Sequence, residues 1–158
     1  MRVRALLTSL QLPVAGVGLL LVAASGYRLL TLPEPPVGSN GFVDGVVAFF
    51  LYLCVVAGLI VTAIGLAIPA DDQSGVRFRR HQRLLFVLAA LAALAGLLSP
   101  LVVWPAAVAA GASAAVVFRS WLGLTALAGL VILVGVGWRA VEVALARLGG
   151  TALRASRE

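Results

Sequence analysis

The sequence predicts an all-α integral membrane protein, a four-helix (tetraspan) bundle with a short interfacial or re-entrant segment between helices three and four. Three observations predict it. Four long apolar segments contain no Asp, Glu, Lys, Arg, His, Asn or Gln in their interiors. The chain is 62% apolar with a mean hydropathy of +1.11, more apolar surface than a soluble domain of 158 residues can hide. Its 12 basic residues are all arginine and lie almost entirely at the ends of the segments. A span needs about 20 residues, so four spans take about half of the chain. The remainder is too short for a soluble domain, and residues 1–158 form a single membrane domain.

The first span is expected at residues 13–32, with Pro13 in the first turn, where its missing N–H costs no hydrogen bond. A start near Arg4 would instead make Pro13 a kink, which a lipid-embedded helix tolerates. Met1 to Arg4 followed by an apolar run has the pattern of a signal peptide, with Ala23, Ala24 and Ser25 as a cleavage region. The run continues to Leu32, so an uncleaved helix is expected. Near its far end Arg28 can extend its stem to the headgroups, with Tyr27 in the interfacial belt.

Pro33, Pro35, Pro36, Gly38 and Gly41 make the next stretch a loop. The second span is expected at residues 44–68, from Asp44, a carboxylate suited to free amides and the positive helix end, to the residue before Pro69. A polar connection with Asp71, Asp72, Gln73, Ser74 and Gly75 follows, and residues 76–83 should begin the third helix in water. The third span is expected at 84–103, with Ser99 and Pro100 in its last turn and Trp104 at the interface. Residues 106–118 are apolar and Ala-rich but too short to span, which gives the interfacial or re-entrant segment. The last span, 120–138, turns amphipathic and continues to about 148, where Gly149 and Gly150 should end it. Residues 149–158 are expected to be a disordered tail.

Cytoplasmic flanks carry the excess of basic residues. Arg2, Arg4, Arg77, Arg79, Arg80, Arg83, Arg139, Arg147, Arg154 and Arg157 fall on one side, against Arg28 and Arg119 on the other. Both termini and the middle connection are therefore expected in the cytoplasm of a multi-pass cell-membrane protein. The exclusive use of arginine suggests a G+C-rich, prokaryotic coding sequence.

Function is read mainly from what the spans contain. A proton-coupled four-helix exporter would be expected to carry an intramembrane carboxylate, and a haem bundle paired axial ligands; neither pattern is in the spans. Ser25, Tyr52, Cys54, Thr62, Ser99 and Thr125 offer the polar atoms there, and such hydroxyls commonly bond to their own helix. The single cysteine allows no internal disulfide. His81 stands among Arg79, Arg80 and Arg83, where neighbouring charge repels a metal cation. No cofactor, metal site or catalytic group is expected. A net charge of +6 would suit nucleic acid, but the arginines flank hydrophobic spans without interleaved aromatic residues, so no nucleic-acid partner is expected.

Two sets of residues remain. Arg77, Arg79, Arg80 and Arg83 are expected to contact anionic lipid headgroups or a protein partner, at about 1 kcal/mol for each arginine near the surface. Small residues at three- and four-residue steps allow close helix packing. They are Gly58, Thr62 and Gly65 after Cys54, Ala89, Ala92 and Gly96 with Ala93 and Ser99, and Thr125 with Gly129. The expected function is that of a non-enzymatic accessory, assembly or structural subunit acting through helix–helix and lipid contacts, with another membrane protein or further copies of itself as partner. The rival is a small homo-oligomeric channel or transporter with a pathway between subunits, using Arg28, Arg119, Ser99 and the re-entrant segment. A third reading, a lipid-modifying enzyme, has only Asp71, Asp72 and His81 to draw on.

Overall fold

The computed structural model describes residues 9–34, 38, 41–70, 76–111 and 114–155. They form four helices, α1 (Gln11–Leu30), α2 (Phe42–Ala67), α3 (Arg80–Ala109) and α4 (Ala114–Ala155), and no strand among the described residues. All four contain a stretch long and apolar enough to cross a membrane.

Local chemistry explains the helix ends. Pro13 falls in the first turn of α1, and Thr31 closes the other end by donating both its N–H and its hydroxyl to the Tyr27 carbonyl, at 3.0 and 2.9 Å. At the start of α2 the cap position belongs to Gly41, in the left-handed region at φ +61°. Asp44 sits inside the first turn, with its charge near the positive helix end. Ile68 is extended, as the residue before a proline prefers. α3 starts at Arg80, later than the expected 76, because Gln82 reaches back to accept the Arg79 N–H at 2.9 Å. That contact is half of a capping box.

α3 continues to Ala109, past both Pro100 and Pro105. Pro100 has no N–H for the Gly96 carbonyl four residues back, and the Ser99 hydroxyl donates to that carbonyl instead, at 2.9 Å. The helix therefore crosses the proline with the acceptor satisfied.

The segment expected at 106–118 as re-entrant or interfacial is not a separate helix, although it lies outside the two candidate spans of the last helices, Arg80–Ser99 and Arg119–Ala146. Its first residues complete α3, Gly111 at φ +67° turns the chain, and α4 begins at Ala114. Alanine is the strongest helix former, so the Ala-rich stretch extends both neighbours where Pro105 had suggested a break. α4 also runs to Ala155 through Gly149 and Gly150, which were expected to end it. Each glycine costs a helix about 1 kcal/mol and does not forbid it. Of the expected disordered tail, only residues 156–158 lie outside the described residues.

The four helices pack unevenly. α2 is the hub, packed on α1, on α3 and slightly on α4, while α3 and α4 pair extensively. Among the described residues α1 makes no close backbone approach to α3 or α4. Val56, Ala93 and Ala128 form one buried cluster between α2, α3 and α4, and Ala63, Ala89 and Ile132 form a second. Phe86, fully buried, lies against Gly135 of α4 and meets Phe78 edge to face at 4.9 Å.

Gly96 of α3 is buried against α4, and a methyl group there would lie 3.3 Å from Leu124 Cβ and 3.4 Å from Thr125 Oγ1. Gly96→Leu is expected to force the helices apart at about 1–3 kcal/mol, while Leu91→Phe, on an exposed position of the same helix, leaves stability unchanged. Thermal melting in detergent measures both, and equal melting of Gly96→Leu and the parent would contradict this packing.

Candidate functional site

Two features of the fold stand out, a glycine-lined helix contact and a polar assembly at the arginine-rich end. The contact joins α1 to α2. A methyl group on Gly58 would lie 2.8 Å from Gly18 O and 2.9 Å from the Val22 backbone nitrogen. One on Gly65 would lie 2.8 Å from Ala15 Cα. The two backbones thus approach as closely as residues without side chains permit, the arrangement that replaces hydrophobic drive between helices in lipid. Thr62, between them, donates its hydroxyl to the Gly58 carbonyl at 2.7 Å.

The polar assembly centres on Gln11, which is fully buried. Its Nε2 donates to the carbonyls of Ile68 and Val76 at 3.1 and 3.0 Å, and its Oε1 accepts the Val76 N–H at 2.9 Å. One side chain therefore ties the start of α1 to both sides of the connection between α2 and α3. Next to it Glu142 of α4 accepts from Trp138 Nε1 at 3.0 Å and from Arg139 Nη1 at 2.9 Å, with Arg79 Nε 3.5 Å away. Gln82 Nε2, Arg83 Nε and Arg139 Nε are buried without a hydrogen-bond partner.

Beside this assembly an apolar groove of about 680 Å³ runs between the end of α2, the connection and α4. Leu66, Val76, Phe78, Val136, Ala140 and Val143 line it, and Arg139 stands in its wall. A smaller cavity of about 160 Å³ lies among His81, Gln82 and Trp138.

Toward the opposite end, Tyr52 of α2 and Thr125 of α4 hydrogen-bond to each other across the core. Thr125 also donates to its own helix at the Trp121 carbonyl, 3.1 Å away, so the Tyr52 hydroxyl is the donor to Thr125. Tyr52 and Trp121 rings meet at 4.4 Å, and with Phe49 and Leu29 they border a cavity of about 340 Å³.

No known family, curated protein or solved structure matches this chain.

Of the arginines singled out from sequence, Arg77, Arg79 and Arg80 are exposed and Arg83 is half-buried. Arg79 is drawn to Glu142; no signal at the start of α3 names a partner on α4. The small residues separate into two faces: Gly58, Thr62 and Gly65 meet α1, whereas Ala89, Gly96 and Thr125 are buried in the α2–α3–α4 packing. Ala92 is half-buried beside Val56, Ala93 and Ala128, and Gly129 faces Leu59 of α2. Ser99 is occupied at its own helix, and Arg28 and Arg119 are exposed. Asp71 and Asp72 lie outside the described residues. Among the described residues no three His, Cys, Asp or Glu side chains gather as a metal site.

Gln11, Gln82, Gly18 and Gly135 are not among the residues singled out from sequence. Gln11 carries a signal all the same, a lone amide two residues before the helix-starting proline. Gly18 and Gly135 fall in none of the small-residue rows above.

Proposed function

We propose that this chain is a multi-pass cell-membrane protein that acts without catalysis, as an accessory, assembly or structural subunit working through helix–helix and lipid contacts. The observation that carries the proposal is the asymmetric packing of α1, which among the described helices makes its close backbone contacts with α2 and none with α3 or α4. Leu130 and Leu133 of α4 expose 58% and 71% of their surfaces. An uncovered helix face offers a partner helix the same kind of contact that α1 makes with α2.

Affinity capture of the full chain in mild detergent tests this. A constant co-purifying membrane protein is the expected result. A lone symmetric oligomer would overturn it in favour of a channel formed between subunits.

Both termini and the connection between α2 and α3 face the cytoplasm in this proposal, following the arginine asymmetry. The Gln11 bonds support one part of it, since they hold the start of α1 beside that connection. In a Cys54→Ala background, an impermeant thiol reagent should label Ser39→Cys in intact cells and leave Ser74→Cys unlabelled. Both positions lie outside the described residues, and the reverse labelling would invert the topology.

A further inference from the structure

We propose that the groove at the arginine-rich end binds one anionic phospholipid, with an acyl chain along its apolar lining and the phosphate at Arg79 and Arg139. The groove orders polarity as an amphiphile does. Leu66, Val76, Phe78, Val136 and Val143 line it with apolar carbon, and the charged Arg139 belongs to the same lining. At about 680 Å³ its volume falls in the range of about 300–1,000 Å³ in which small molecules are held.

Charge selects the headgroup. Arg139 commits Nη1 to Glu142 while its Nε has no hydrogen-bond partner. Arg79 shares the same carboxylate at 3.5 Å and leaves 65% of its side chain exposed. Two guanidinium groups thus face one carboxylate, which leaves the cluster beside the groove with a net positive charge. Guanidinium groups suit phosphate oxygens, which they bind in pairs. A zwitterionic headgroup brings its own cation to this positive cluster and is disfavoured there. An acidic protein segment would satisfy the charge but not the apolar lining beside it. The site does not depend on the accessory role, because a subunit and a channel can hold a lipid alike.

The test is native mass spectrometry of the full chain titrated with dioleoyl phosphatidylglycerol or dioleoyl phosphatidylcholine. One retained phosphatidylglycerol per chain, in clear preference to phosphatidylcholine, is expected. Arg79→Gln and Arg139→Gln should each weaken retention about fivefold, and Arg139→Lys should recover part of the loss. Arg79 is exposed, so its variant keeps the test decisive if Arg139→Gln destabilises the protein. Ala140→Phe, which fills the groove and leaves the charges in place, should weaken retention of the lipid. Arg28→Gln, at the far end, should change nothing. Equal retention of the two lipids would overturn the proposal, as would indifference to Ala140→Phe or full displacement by inorganic phosphate, each of which means adsorption by the headgroup alone. Displacement by an acidic peptide but by neither lipid would assign the groove to a protein partner and overturn it as well.

Discussion

Gly18→Leu is expected to detach α1 from α2 and to lower the melting temperature in detergent strongly. A methyl group at Gly18 already collides with the Thr62 backbone nitrogen and would lie 2.7 Å from the Gly58 carbonyl oxygen. Those atoms belong to the backbone of α2 and cannot rotate away as a side chain would. Gly18→Ala should therefore cost about 1–3 kcal/mol by overpacking, and Gly18→Leu more. At Gly16, two residues earlier on the same helix, a methyl group would meet nothing within 4 Å, so Gly16→Ala should gain up to about 1 kcal/mol of helix propensity. Opposite signs for the two alanine variants are the expected reading. If both melted alike, α1 would not be held by this contact.

Removing the Gln11 amide is expected to produce a second large loss. Gln11→Met retains much of the volume and leaves the Val76 N–H and the Ile68 and Val76 carbonyls without their side-chain partner. Each buried polar group left unsatisfied costs about 1–3 kcal/mol. Water reaching this end of the protein offsets part of that, so a total on the order of 3 kcal/mol is expected. Gln11→Glu should be worse, since a carboxylate can accept from Val76 N–H but meets two carbonyl oxygens with no proton to offer them. The local readout is hydrogen exchange at the Val76 amide, which should accelerate in Gln11→Met. Unchanged protection there would show that the connection holds its shape without Gln11.

The four apolar segments were legible because their limits are chemical. Prolines, glycines and arginines bracket runs of about the length that a bilayer demands, and α1 and α2 end within two residues of the expected limits. The ends of α3 and α4 were less legible. Pro105 and Gly149 are local discouragements of helix, and neighbouring alanines outweighed the first while helix continuity carried α4 through the second.

The sequence by itself determined that this chain has four helices apolar enough to cross a membrane, and which of their residues are small enough for close packing. Tertiary structure alone decided which helix each small residue meets. The row Gly58, Thr62 and Gly65 faces α1, and the row through Ala89 and Gly96 turns to the other helices. It also decided that α2 is the hub, that 106–109 and 114–118 are helix ends, and that Gln11 is a structural fastener. The reason is physical: propensity and hydrophobic length act over a few residues, but a contact is defined by its partner. The partners of Gln11 lie 57 and 65 residues away, and no local pattern at Gln11 encodes them.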